Sequence, residues 1–158
     1  LGHLAINFYK ALGCHVTGFT SSQDKNELIK SMGADEVVSS TDKITLKDMG
    51  AKFDLLISTV NVSLDWNLFL NTLKPRGRLH FVGAVLEPIK SSVFSLMTGR
   101  RSISGSPVGS PKNIKKMLTF CVQHNIKPIV EHFKFNDINN AIDKVRSNEV
   151  RFRAVLSW

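Results

Sequence analysis

Cysteine is scarce in this chain of 158 residues: Cys14 and Cys121 are the only two. They form no C-x-x-C pair and stand far apart, which excludes a disulfide framework and a cysteine-built metal centre. Both lie in segments that read as buried and are expected to be reduced core thiols of a cytoplasmic protein. No apolar run approaches the roughly 18 residues a membrane span requires, and nothing resembles a cleavable signal, so no membrane partner is expected. The five histidines, His3, His15, His80, His124 and His132, show no ligand spacing, so no metal site is expected among them. Gly-x-Ser-x-Gly, a Cys/His nucleophile arrangement and paired carboxylates are also missing, which excludes the common hydrolase classes. Acidic residues are few, 13 against 21 basic, giving a net charge of +8. That balance invites nucleic acid. The basic residues are nevertheless dispersed and not interleaved with aromatics, so a small polyanionic ligand is the better expectation.

What is present alternates between strand-like and helix-like segments, the pattern of a parallel sheet covered on both faces. Residues 2 to 12 place Leu4, Ala5, Phe8, Ala11 and Leu12 at helical spacing, and Gly13 stops them. Strands are expected at 14–20, 36–39, 53–60, 78–82, 102–105, 129–133 and 152–156. The run Phe53-Asp54-Leu55-Leu56-Ile57-Ser58-Thr59-Val60 is the strongest, as a central parallel strand should be. Helices are expected at 25–32, 42–49, 63–72, 111–124 and 137–147, with one helical turn at 94–97. Lys74-Pro75-Arg76-Gly77 reads as a turn, and the 111–124 helix is expected to face Ile114, Met117, Leu118, Cys121 and Val122 inward.

Two features point to chemistry. Leu1-Gly2-His3 resembles the end of a glycine-rich strand-to-helix turn, in which the last glycine lets helix and sheet approach closely. The strand and earlier glycines that precede such a turn are not in these residues, so the chain reads as part of a longer nucleotide-binding enzyme. At the tip of the 14–20 strand stand Thr20, Ser21 and Ser22, followed by Lys25, with no acid at the tip itself. An acid there would accept from a ribose 2′-hydroxyl, whereas hydroxyls and a cation accommodate a 2′-phosphate. A serine that merely caps the next helix explains Ser22 but not the whole set.

The segments Leu1 to Ala5, Phe19 to Ser22, Leu28 to Asp35, Phe53 to Val60, Leu73 to Gly77, Gly99 to Ser106 and Val150 to Arg153 together resemble, in order, the zinc-dependent medium-chain alcohol dehydrogenases. The resemblance is to the cinnamyl alcohol dehydrogenase branch, which reduces aldehydes with NADPH. It implies a Rossmann-type doubly wound parallel α/β sheet without its first strand. Residues 1–125 would form the NADP(H)-binding domain, and 126–158 a strand-helix-strand segment returning to the catalytic domain.

It further implies a cofactor site made by Gly2 at the pyrophosphate turn and by Thr20, Ser21, Ser22 and Lys25 around the 2′-phosphate. Thr59 and Val60 would pass along the cofactor, with Val82 and Gly83 beside the nicotinamide, Gly105 and Ser106 at the carboxamide, and Arg153, in the last strand, at the pyrophosphate. The resemblance places the catalytic zinc on residues outside this chain. The expected reaction is zinc-assisted hydride transfer to an alcohol or aldehyde substrate in the intact parent, the chain alone being inactive, with homodimer contacts at about 93–110. A zinc-free quinone or enone reductase and a non-catalytic dimerisation module are the alternatives. In the strand order 3-2-1-4-5-6, the first strand would lie between the 14–20 and 53–60 strands, so that without it each loses one neighbour.

Overall fold

A computed structural model of the chain describes residues 1–147 and 149–158. Helix α1 (Gly2–Ala11) ends where Gly13 takes φ +80, and the Gly13 and Cys14 amides close the last turn on the carbonyls of Lys10 and Tyr9. Strand β1 (Thr17–Thr20), helix α2 (Asn26–Ser31) and strand β2 (Glu36–Ser39) follow as one parallel unit, with Thr17 opposite Glu36 and Thr20 opposite Ser39. Gly18 permits its packing: a Cβ there would lie 2.5 Å from Ile29 Cγ2 of α2. Asp35 ties the unit to α1, accepting from Lys10 Nζ at 2.5 Å and from the Val16 amide at 2.8 Å, bonds that hold its carboxyl below its usual pKa.

After helix α3 (Lys43–Asp48), capped by Asp42, come strand β3 (Phe53–Ser58), helix α4 (Trp66–Asn71) and strand β4 (Leu73–Phe81). The short helix α5 (Val93–Met97) leads to strand β5 (Ser102–Gly105), and β3-β4-β5 form a parallel sheet. The core lies on the α4 face of this sheet. Leu46, Leu56, Trp66, Phe69, Leu70, Leu73 and Leu79 are all buried there, and Trp66 meets Phe81 edge-on at 4.8 Å.

Helix α6 (Pro111–Gln123), capped by Ser110, is followed by strand β6 (Glu131–Lys134), helix α7 (Ile138–Arg146) and strand β7 (Ala154–Ser157). Strands β6 and β7 pair in parallel as a separate sheet.

The fold is thus α/β and Rossmann-like, with β1-β2 and β3-β4-β5 as two parallel sheets. Strands β1 and β3 are not hydrogen-bonded neighbours. Side chains join the two sheets: Phe19 of β1 packs edge-on against Phe53 and Phe69 at 5.6 and 5.5 Å.

Several expectations change. Lys74 to Gly77 is no free turn; β4 runs through it, with Arg76 at φ +65 and its amide bonded to the Gly99 carbonyl at 2.7 Å. Cys14 is exposed and Cys121 half-buried, so neither is a core thiol. The α6 stripe is not inward either: Leu118 is 54% and Val122 83% exposed. The helix is held instead by Phe120, whose ring stacks on Phe8 of α1 at 5.9 Å. Arg101, just before β5, turns in and donates to the carbonyls of Leu73 and Ser95. Arg153 immediately precedes β7.

Candidate functional site

Parallel strands end together, and their carboxyl ends are where α/β sheets of this kind bind ligands. Here the chain leaving β3 and the chain leaving β4 are sewn to each other. The Val82 and Gly83 amides both donate to the Ser58 carbonyl at 3.0 Å. Gly83 lies so close to the preceding crossover that a Cβ would fall 2.3 Å from the Val60 carbonyl oxygen and 2.6 Å from the Thr59 carbonyl carbon. Only glycine fits this contact, because the obstructing atoms are backbone. On the other side of β4, the Ser106 amide donates to the Phe81 carbonyl at 3.1 Å, and a Cβ on Gly105 would sit 3.3 Å from that same oxygen. Thr59 also faces α1: a Cβ on Gly2 would lie 3.4 Å from its Oγ1. Seven of the expected site residues, Gly2, Thr59, Val60, Val82, Gly83, Gly105 and Ser106, therefore line one continuous ledge.

The remaining residues stand in two other places. At the tip of β1, Thr20 Oγ1 bonds both the Ser22 amide and the Ser22 carbonyl at 3.2 Å, folding the chain into the 3-10 turn Gln23–Lys25. Ser22 occupies the cap position of that turn without making a capping bond. Its hydroxyl donates instead to the Asp24 carboxylate, which lowers the pKa of Asp24. Asp24 thus shares the tip with the hydroxyls, a contact that the sequence left unread. Among the described residues, Ser21 and Lys25 have exposed side chains and no side-chain partner.

Arg153 lies close enough to His3 for its charge to disfavour the imidazolium. His3 is only 4% exposed, packs tilted against Phe152 at 4.3 Å and, among the described residues, has neither ring nitrogen hydrogen-bonded. Burial above all, with the Arg153 charge adding to it, pushes its pKa down and favours the neutral ring. Phe152 holds φ +72, a left-handed conformation uncommon for an aromatic residue, immediately before Arg153.

The donor chemistry does not suit zinc. Among the described residues, no group of three or more His, Cys, Asp or Glu is placed to hold a metal ion. His15 is engaged with Glu36 at 3.1 Å, and His80 with two serines. The ledge, by contrast, is built of backbone, brought together where Gly83 and Gly105 carry no side chain.

Parallel strands with intervening helices and a glycine-led first helix define an α/β protein of the Rossmann type. The chain belongs to the zinc-binding dehydrogenase family, which matches residues 1–123. It is 50% identical over 157 residues to the aldehyde reductase AdhA of Synechocystis, covering 99% of this chain and 47% of that protein. Its structure resembles a cinnamyl alcohol dehydrogenase from Sorghum bicolor with TM-score 0.92 and 34% identity, over 99% of this chain and 44% of that one. A second similar structure is CAD from Helicobacter pylori complexed with NADP(H), with TM-score 0.81 and 28% identity, over 96% of this chain and 43% of that one. The chain spans less than half the length of each of these relatives. No described helix is long and apolar enough to cross a membrane.

Proposed function

We propose that this chain is the NADP(H)-binding part of an alcohol dehydrogenase or aldehyde reductase. The observation that carries this reading is the ledge at the ends of β3, β4 and β5, where Gly83 and Gly105 let the backbones leaving the strands meet, in a fold similar to that of a relative complexed with NADP(H). Gly2 and Arg153 receive the pyrophosphate, Thr59 and Val60 run beside the cofactor, and Val82, Gly83, Gly105 and Ser106 face its nicotinamide end. Thr20 shapes the β1 tip, and Ser21, Ser22 and Lys25 take the 2′-phosphate after Ser22 gives up Asp24. The bound cofactor supplies a hydride; the residues here bind and orient it. In this reading the zinc that polarises the alcohol or aldehyde is held by residues outside these 158, and residues 126–158 return to the catalytic domain. The chain alone therefore binds without catalysing. The two free cysteines suit the reducing cytoplasm.

Titration of the purified chain with adenosine 2′,5′-bisphosphate and with AMP tests the assignment. The bisphosphate binds more tightly, and Lys25→Ala removes most of the difference, about three- to tenfold for one exposed charge-assisted bond. Equal affinity for the two ligands would remove the phosphate reading. Aldehyde reduction by the chain above a boiled control would overturn the division between binding and catalysis.

One observation supports a homodimer: among the described residues β5 pairs with β4 alone and so presents an open strand edge within residues 93–110. Light scattering that shows a monomer at high concentration would count against it.

A further inference from the structure

Strand β4 points successive side chains to opposite faces, so Leu79 and Phe81 enter the α4 core while His80 faces the other way. Both nitrogens of the His80 ring are engaged. Nδ1 lies 2.8 Å from Ser104 Oγ on β5, and Nε2 lies 2.9 Å from Ser106 Oγ just beyond that strand. A neutral imidazole has one donor and one acceptor, and a serine hydroxyl can serve as either, so a single tautomer satisfies both bonds. Ser106 is thereby held at two points, by its amide on the Phe81 carbonyl and by its hydroxyl on His80. Ser104 anchors the same ring to the strand from which the turn departs.

We propose that His80 is a positioning residue that clamps the Gly105-Ser106 turn and so sets the backbone against which the nicotinamide end of a dinucleotide rests. The proposal rests on the cofactor reading above and adds to it a residue that touches no part of the adenosine half. A purely structural staple would affect binding of all ligands alike or none. A positioning role affects only ligands that reach the turn.

The test compares NADPH with adenosine 2′,5′-bisphosphate on the purified chain, together with amide hydrogen exchange measured without ligand. In His80→Leu, NADPH affinity falls about three- to tenfold, the range of one lost hydrogen bond, while the bisphosphate binds as before. The Ser106 amide exchanges faster, whereas the amides of Leu79 to Phe81 and Ser102 to Ser104 keep their protection. His80→Gln retains a donor and an acceptor and restores most of both properties, which separates loss of the clamp from general loss of fold. Equal weakening of the two ligands, an unchanged affinity ratio or an unchanged Ser106 exchange rate would overturn the proposal while leaving the cofactor reading standing. If the unmutated chain binds neither ligand, the cofactor reading falls and this proposal with it.

Discussion

The two faces of the β3-β4-β5 sheet are built differently. The α4 face is a closed core in which Leu70 and Leu73 are fully buried and Leu79 is 2% exposed. The opposite face carries the polar set His80, Ser104 and Ser106; elsewhere in the chain, α6 leaves Leu118 and Val122 largely in solvent. Burial near 25 cal/mol per Å² makes the first face the source of this region's stability. On the second face the polar side chains bond one another, His80 to both serines. The ledge lies at the strand ends.

The largest expected effect would break this comparison if it failed. Leu70→Ala should cost about 2 to 5 kcal/mol, because it opens a cavity in a closed core. Leu118→Ala should stay within about 0.5 kcal/mol. Urea melts of the two variants decide it, and equal losses would mean that α6 packs far better than its exposure indicates.

A smaller effect lies at the seam. Gly83→Ala drives a methyl group into the Thr59-Val60 backbone, which cannot rotate away, so a loss of about 1 to 3 kcal/mol is expected. Because the displaced backbone is the ledge itself, NADPH binding should weaken more than the stability loss alone accounts for. Calorimetry on the folded variant measures this, and unaltered affinity would detach the ledge from the cofactor.

The smallest effect concerns pH. His3 is buried and neutral, with its folded pKa below the ordinary 6.5. As pH falls below that ordinary value, the unfolded chain takes up a proton that the folded chain refuses, so stability declines on acidification until the folded pKa is passed. Melts at about pH 7.5 and about pH 5.5 should show this loss, and His3→Gln should flatten the slope. An unchanged slope in that variant would assign the pH dependence to other groups.

Much of this architecture is legible in residue order. The strands at 36–39 and 102–105 fall where the sequence places them, because hydrophobic period and flanking turn residues agree there. Agreement failed where a local signal met a tertiary bond. Pro75 and Gly77 announce a turn, yet the bond from the Arg76 amide to Gly99 and a left-handed Arg76 carry β4 straight through. The α6 periodicity was also real, but period reports only that one face is apolar, not that anything covers it. At the site, the hydroxyl tip and the glycines could be named from sequence. The use of Ser22 by Asp24, the buried unpaired ring of His3 and the His80 clamp could not, since each depends on which way a side chain turns in three dimensions.

Sequence by itself determined the alternation of strands and helices, the parallel sheet and the residue types available at its carboxyl ends, because propensity, period and turn chemistry act over a few neighbours. Tertiary structure alone decided that Gly83 and Gly105 meet strand ends from elsewhere in the chain, that β1 and β3 are joined by aromatic packing and not by a ladder, and that His80 reaches both serines. Those contacts join residues more than 20 positions apart, and only the closing of the sheet brings them within bonding distance.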